Sequence, residues 1–324
     1  MALKFHGRNT FSTLKLYSDV AEKSSLLSSK VREEGNQLLR QKNHSENIHE
    51  EILLKYSKSV ALAPYPSEEL VLALGNRSYL LKHLGKYYEC ISDIDFAMQF
   101  NIMSDSLKVK LLCRKLICLV LLKKKFQANQ IYIQIKNVCS KLSDKSQKDR
   151  CLKIANETIK SNYKSESLKK KVTCGIDFIK ILPFSSDAIS MYYDVKRGRH
   201  LIANRDISTG EILLVEKPFF YPNLEKMYII CTHCSKQMWN SVPCEHCAFS
   251  SFCSSICKKE AWEKYHDIEC SLYSKLLTEK VAIQYLFVWR LFIIALKEKD
   301  AEIIIQEAAN CNVGIQTPSG NEKI

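Results

Sequence analysis

The stretch CTHCSKQMWNSVPCEHCAFSSFCSSICKKEAWEKYHDIEC, residues 231–270, carries the most specific signal in the chain. Its seven cysteines and one histidine fall into four closely spaced pairs: Cys231-x2-Cys234, Cys244-x2-Cys247, Cys253-x3-Cys257 and His266-x3-Cys270. Thiolates and imidazole at such spacings are the ligands of structural zinc sites, four to each tetrahedral ion. The stretch therefore predicts a finger that holds two zinc ions and leaves no open coordination position.

The spacing also bears on the local structure of this finger. A three-residue gap places two side chains on adjacent turns of a helix, so we expect a helix over Lys258 to His266. His233 and His246 lie inside the two-residue gaps, and we exclude them as ligands because a residue inside such a knuckle points away from the metal. Spacing alone leaves open which pairs share an ion.

The same stretch resembles a MYND finger, in which Phe252 precedes Cys253 and Trp262 lies four residues before His266. In that family the pairs interleave, which implies two ligand sets: Cys231, Cys234, Cys253 and Cys257, and Cys244, Cys247, His266 and Cys270. The resemblance also implies that Trp262 can line a groove for proline-rich peptides. Packing on the zinc scaffold is the alternative role, and the two are compatible.

Short strands are predicted before the finger, around a turn at Ser208-Thr209-Gly210. There the string Arg197-Gly198-Arg199-His200-Leu201, with Gly210-Glu211 and Glu216-Lys217-Pro218, resembles the opening of a SET domain, the β-rich lysine methyltransferase fold. The resemblance implies a contribution to an S-adenosylmethionine pocket by Arg197, Gly198, Arg199 and His200. A plain turn between strands is the alternative.

Helical periodicity runs from residue 30 to about 160. Gly35-Asn36 and Gly75-Asn76 begin two segments that resemble tetratricopeptide repeats, although their 40-residue separation exceeds the usual period of about 34. We place the extra residues in the polar stretch from Gln41 to Glu50. A third helix pair, Lys108 to Leu122 and Phe126 to Leu142, and a capping helix complete a plausible module.

A charge pattern in these repeats suggests a peptide site. Tetratricopeptide domains that bind chaperone C-termini hold the terminal carboxylate with basic and Asn side chains, and the matching positions here are Arg32, Asn36, Asn76, Lys110 and Arg114. A four-residue spacing puts each pair on one helix face. Ordinary consensus asparagines with solvated basic neighbours are the alternative.

The net charge of +13 is concentrated in one region. Residues 101–175 hold 18 Lys and Arg against 5 Asp and Glu, and the rest of the chain balances to zero. Solvated helix ends are one interpretation, and a basic concave face for acidic partners is the other. Nucleic acid is the least favoured partner, because this stretch lacks interleaved surface aromatics and the zinc-loaded finger is anionic.

The sequence shows neither a secretory signal nor an apolar run of the ~20 residues that a membrane span needs. The 14 cysteines are therefore expected to be reduced or metal-bound, in a protein of the cytoplasm and nucleus with no membrane partner.

Together these segments predict a mainly α, multidomain chain: 1–29 an N-terminal extension, 30–160 tetratricopeptide-like repeats, 161–182 a linker, 183–230 the first part of a SET domain, 231–270 the inserted two-zinc MYND finger, and 271–324 helices and a truncated end. This order resembles the SET and MYND domain family, and its N-terminal repeats point to one member of it. The family implies S-adenosylmethionine-dependent methylation of protein lysines.

The family's Asn-His-Ser-Cys segment and the tyrosine after it do not follow Cys270. We therefore expect a chain that lacks the catalytic half of SET, has no catalytic residue of its own and is inactive alone. A non-catalytic adaptor, binding proteins through the repeats and the finger, is the alternative function.

Overall fold

The computed structural model describes residues 22–41, 46–160, 186–215, 226–278 and 284–297. The chain divides into two compact units, one formed by Met1–Lys164 with Phe220–Ile324 and the other by Ser165–Phe219. The predicted linker, 161–182, and the chain after 297 lie outside the described residues. No helix in the described ranges is long and apolar enough to cross a membrane.

Consecutive helices fill the first part of the larger unit, and the prediction of a mainly helical chain is confirmed. In chain order they are α1 (Ser25–Arg40), α2 (Glu46–Leu62), α3 (Glu68–His83), α4 (Tyr87–Met98), α5 (Asp105–Leu121), α6 (Lys125–Lys141) and α7 (Lys145–Lys160). Each helix packs against the next. Within the described residues up to 160, these form three helix pairs and a seventh helix, as the helical periodicity predicts.

A serine begins the first helix of each pair. The hydroxyl groups of Ser24, Ser67 and Ser104 each accept a hydrogen bond from the backbone N–H three residues further on, at 3.1 to 3.3 Å. Such caps satisfy donors that the first turn of a helix leaves without a partner. The first helix of every pair is therefore fixed locally by its own sequence.

The apolar core of these helices extends beyond them to the segment that precedes the finger. Its buried members come from α2, α3, α4 and α5, and Ile229 joins them with 1% of its surface exposed. A smaller cluster joins Val31 and Leu62 to Ala248 inside the finger. Helices and finger thus share apolar packing within one unit.

The smaller unit contains an antiparallel hairpin of β1 (Ile189–Asp194) and β2 (Gly198–Ala203), with Ile189 opposite Ala203. Gly198 has φ +68°, which favours glycine at this turn. The ladder does not extend to residues 211–215, where the sequence predicts a further strand. There the N–H of Ser186 donates to the carbonyl of Leu213 at 2.8 Å instead.

The finger combines short strands with a broken helix. β3 (Val242–Pro243) pairs with β4 (Ser251–Phe252), and α8 (Ser255–Ala261) is followed by a π-helical turn (Trp262–His266), α9 (Asp267–Thr278) and α10 (Gln284–Lys297). The predicted helix over Lys258 to His266 is therefore only partly right. A π turn accommodates an extra residue and changes the direction of the side chains that follow it.

Candidate zinc centre and neighbouring sites

The first ligand group consists of Cys231, Cys234, Cys253 and Cys257, whose sulfur atoms all lie within 4.8 Å of one another. The Cys234 and Cys253 sulfurs are 3.7 Å apart, and those of Cys253 and Cys257 are 3.4 Å apart. A tetrahedral zinc with Zn–S bonds of about 2.3 Å separates its sulfurs by about 3.8 Å. The spacing of these thiols therefore fits one zinc ion.

The second group consists of Cys244, Cys247, His266 and Cys270, and all four residues are buried. The Cys244 and Cys270 sulfurs are 3.7 Å apart, and Nε2 of His266 lies 3.3 Å from the Cys244 sulfur and 3.7 Å from that of Cys247. The pairs come together in the interleaved order that the MYND resemblance implies. Both groups could hold a zinc ion.

Different local backbone structures position the ligand pairs. Ser235 has φ +58° and its N–H donates to the Cys231 carbonyl at 3.0 Å, which closes the first knuckle. Ser254 caps α8, so Cys257 lies in the first turn of that helix while Cys253 precedes it. The expectation of two ligands on adjacent helical turns holds for His266 and Cys270, which flank the end of the π turn, but not for Cys253.

The two histidines inside the knuckles stand outside both ligand groups, as the sequence predicts. The ring nitrogens of His233 lie 3.0 Å from the Tyr265 hydroxyl and 3.0 Å from a Glu260 carboxylate oxygen. The ring of His246 lies 5.4 Å from that of Trp262. Both histidines therefore support the scaffold around the ligands.

Polar contacts in the second group favour a thiolate at Cys244. Hydrogen bonds from Cys247 and Cys270 hold the pKa of Cys244 far below its usual range, against the opposing effect of burial. Burial lowers the pKa of His266, but hydrogen bonds with Cys244 and Cys247 outweigh it and raise that pKa to about 9, so a zinc ion would displace a proton from this imidazole. Four soft donors with no open position suit a structural zinc rather than a catalytic one.

A cavity of about 300 Å³ adjoins the second ligand group. Trp262 and His246 line it together with Lys258, Lys259 and Glu263. The Trp262 side chain is 39% exposed, so its indole is both part of the scaffold and open to a ligand. This geometry is compatible with both of the roles that the sequence leaves open for Trp262.

Two buried arginines near the finger were not recognised as functional residues from the sequence. Arg77 forms two hydrogen bonds with Asp93 and two with Ser241, which lies between the two zinc knuckles. Arg290 forms a bidentate pair with Glu269, the residue before Cys270, at 2.7 Å. A charged residue at an otherwise apolar helix position is the sequence signal for such a buried ion pair. Arg290, within the apolar run of α10, is an example.

The residues of the predicted carboxylate clamp lie on α1, α3 and α5. Asn76 donates to the side-chain oxygen of Asn36 at 2.8 Å, so the two asparagines adjoin. Arg32 pairs with Glu69 at 3.3 Å, and Arg114 donates to the carbonyl of Gly75 at 2.6 Å. Lys110 is exposed. A bound carboxylate would have to compete with these internal partners at Arg32 and Arg114.

The predicted cofactor residues lie where the turn of the β1–β2 hairpin meets β2: Arg197 ends the turn, and Gly198, Arg199 and His200 begin the strand. Arg197 is largely exposed and pairs with Asp194 at 3.0 Å, and Nδ1 of His200 lies 3.0 Å from the Gly198 carbonyl. A Cβ atom on Gly198 would meet nothing within 4 Å, so the turn itself requires this glycine rather than a closely packed neighbour. The side chain of Arg199 lies outside the described residues. The described hairpin contacts therefore do not by themselves form a pocket that fits S-adenosylmethionine.

Comparison with known proteins gives matches among curated sequences. Protein-lysine N-methyltransferase SMYD4 from Gallus gallus is 28% identical over 286 residues, which cover 76% of this chain and 37% of the relative. The Homo sapiens protein of that name is also 28% identical, over 278 residues that cover 76% of this chain and 34% of its own length. A SET and MYND domain-containing protein of Dictyostelium discoideum is 33% identical over 104 residues, 31% of this chain and 27% of the relative.

The chain thus spans about a third of the length of the SMYD4 relatives. No protein-family model and no solved structure matches it. The structure adds two Cys/His groups that could hold zinc ions. Similarity at 26–29% identity along most of the chain thus supports the family of SET and MYND domain-containing proteins.

Proposed function

We propose that the protein is an S-adenosylmethionine-dependent protein-lysine N-methyltransferase. The observation that carries this proposal is the match to proteins of that name over 76% of the chain, which also has two four-ligand groups that could hold zinc. Family resemblance alone supports S-adenosylmethionine as the methyl donor. The acceptor is a lysine side chain of another protein. The enzyme itself is expected in the cytoplasm and the nucleus.

In this function the described residues serve as a scaffold. The two zinc ions fix the finger, because closed sites with four N or S ligands stabilise a fold rather than activate water. The helix pairs, which we take to be tetratricopeptide repeats, present a surface for protein substrates. Arg77 and Ser241 connect the two parts, so the surface of the repeats and the finger keep a defined relation.

The test uses the product of the complete reading frame that encodes this chain. It is incubated with S-adenosylmethionine labelled in the methyl group and with a mixture of purified proteins, and the hydrolysate is analysed for methyl-lysine. We expect labelled methyl-lysine above a heat-inactivated control. Absence of label, together with absence of S-adenosylmethionine binding in equilibrium dialysis, would overturn the proposal.

A second candidate function is that of an adaptor. It is favoured by the cavity beside Trp262, in which a half-exposed indole faces a solvent-accessible space. A proline-rich peptide would pack a proline ring on that indole. Trp262→Ala should remove the binding of such a peptide while the zinc content stays at two ions per chain. Loss of zinc in the same variant would show that Trp262 serves the scaffold alone.

A further inference from the structure

A groove runs along α5 between α4 and α6, in the most basic part of the chain. The structure has two cavities there, of about 390 and about 360 Å³. Asp95 of α4 and Lys115 of α5 line both cavities and form an ion pair with each other. The two cavities are therefore halves of one groove, divided at its middle by a partly exposed pair that contributes little to stability.

Three helices present regularly spaced side chains to this groove. The α4 residues are Tyr88, Ile91, Asp95 and Met98, and the α5 residues are Lys108, Leu112, Lys115 and Leu119. Steps of three and four residues keep each set on one helix face. Met98 and Lys108 line the first cavity while Tyr88 and Leu119 line the second, so α5 runs opposite to α4. Eleven residues of helix make the groove about 16 Å long.

The floor and the ends of the groove differ in chemistry. Apolar side chains such as Leu112 and Leu119 form the floor. Lys108 lies in the first cavity and Lys124 in the second, and Asp95 is the single acidic residue among the lining side chains. Cations at both ends of an apolar floor favour an elongated ligand with negative charges some distance apart.

The wall formed by α6 is rich in amides. Gln127, Gln130, Gln134 and Asn137 line it, and all four are exposed. Their side-chain amides make no hydrogen bond within the described part of the chain. An amide offers one acceptor and two donors, which matches the alternating C=O and N–H groups of an extended peptide backbone. A peptide therefore fits this wall better than a compact anion does.

The groove is distinct from the predicted carboxylate clamp. Lys110 and Arg114 of α5 do not line it, and Arg114 faces α3, where it donates to the carbonyl of Gly75. The surrounding segment, residues 101–175, carries the entire net charge of the chain. Charge complementarity thus points to an acidic partner at this second face of α5.

We propose that this groove binds an extended acidic segment of another protein. Two acidic side chains four residues apart span about 13 Å in an extended chain, which suits Lys108 at one end and Lys124 at the other. An apolar side chain between them covers the floor, and the amides of α6 hold the backbone. The inference does not depend on methyl transfer.

The probe is a library of seven-residue peptides with acetylated and amidated ends, Glu fixed at the second and sixth positions and the other positions varied. A matched library carries Gln at both positions. Blocked ends exclude recognition of a terminal carboxylate by the clamp. Immobilised full-length chain is loaded with both libraries, and the retained peptides are quantified. We expect enrichment of the Glu library that falls as salt rises.

The test variant is Lys108→Glu with Lys124→Glu, and the control is Lys145→Glu with Lys153→Glu, an equal change of charge at exposed sites of α7 outside the groove. Retention should fall about tenfold in the test variant and stay near wild type in the control. Circular dichroism checks that both variants are helical. Equal retention of the two libraries, equal loss in the two variants, or retention of a 20-nucleotide single-stranded DNA in place of peptide would overturn the proposal.

Discussion

Arg77 and Asp93 form a buried bidentate ion pair, with Nε–Oδ2 and Nη2–Oδ1 distances of 2.8 Å. Arg77 is fully buried and Asp93 is 2% exposed. The remaining donors of Arg77 reach the hydroxyl and the carbonyl of Ser241, at 2.7 and 2.9 Å, and the hydroxyl of Ser57 at 3.3 Å. Since Ser57 lies on α2, Arg77 on α3, Asp93 on α4 and Ser241 in the finger, a single guanidinium joins four parts of the larger unit.

Removing one partner of this pair should be more damaging than removing both. Arg77→Met leaves the carboxylate of Asp93 buried without its cation, and we expect a loss of about 3–5 kcal/mol in the free energy of unfolding. Arg77→Met with Asp93→Leu should lose less, because no charge stays buried. Urea denaturation of both variants measures the difference. The partly exposed Lys55–Glu34 pair is the control, and Lys55→Met should cost less than about 1 kcal/mol.

Substitution by alanine should have opposite effects on stability at the two equivalent glycines of the helix pairs, Gly35 and Gly75. A Cβ on Gly35 would lie 2.7 Å from Cε1 of Tyr56, while one on Gly75 would have Leu111 Cδ2 at 3.6 Å as its nearest neighbour. Gly35→Ala should therefore destabilise the chain by about 1–3 kcal/mol. Gly75→Ala should be neutral or stabilise it by up to about 1 kcal/mol through helix propensity. A change in melting temperature of the same sign in both variants, relative to wild type, would contradict this packing.

Zinc should be required for the finger and should stabilise the helices that pack against it. Elemental analysis is expected to give two zinc ions per chain, and Cys244→Ser should lose at least the ion of its own group. Chelation should also lower the melting temperature of the helical signal, because Ile229 and Ala248 share apolar clusters with the helices. Cys90→Ser, at a buried cysteine outside both groups, is the control and should keep both ions.

The stability of the first helix pair should fall at alkaline pH through Tyr56. Burial raises the pKa of Tyr56 to about 12 from an ordinary value of 10, and its hydroxyl donates to the Asn36 side chain at 2.9 Å. The neutral phenol is favoured in the fold, so its stabilising effect is complete below pH 10 and is lost as pH rises through 12. Wild type should approach Tyr56→Phe in stability over that range. A constant difference between the two from pH 9 to 12 would contradict the assignment.

Local signals were the most predictable part of this structure. Helix spacing predicted the pairs from α1 to α6 because each helix has its own apolar face and, at Ser24, Ser67 and Ser104, its own cap. The eight ligands were recognisable because soft donors at gaps of two and three residues have few other uses. Both signals lie within short stretches of chain and need no tertiary information.

The parts that were missed depend on residues far apart in the sequence. Arg77 meets Ser241 across 164 residues, and no periodicity in either stretch predicts that contact. The π turn at Trp262–His266 was missed because helix-forming composition does not distinguish it from an α-helix. The contacts of Arg32 with Glu69 and of Arg114 with the Gly75 carbonyl could not be predicted from the sequence either. They matter because a ligand of the clamp would have to compete with them.

The carboxylate clamp predicts binding of an acidic peptide that ends in Glu-Glu-Val-Asp with a free C-terminus. Lys110 is the donor that the fold leaves most accessible, whereas Arg32 and Arg114 are engaged internally. Lys110→Ala should therefore weaken binding without affecting the fold. Lys110→Ala with Arg114→Ala should abolish binding while the helical signal is retained. Lys153→Ala on α7 is the matched control and should bind like wild type.

The identity of the recognised group decides whether this clamp exists. A terminal carboxylate accepts charge-assisted hydrogen bonds from several donors at once, and its amide does not. Fluorescence anisotropy should therefore show tighter binding of the free-acid peptide than of its C-terminally amidated form, with a difference that shrinks as salt rises. Because Glu69 competes for Arg32, Glu69→Gln should tighten the binding of the free acid. Equal affinities of the two peptides would show that the asparagines and basic residues of this surface serve the packing of α1, α3 and α5 rather than a ligand.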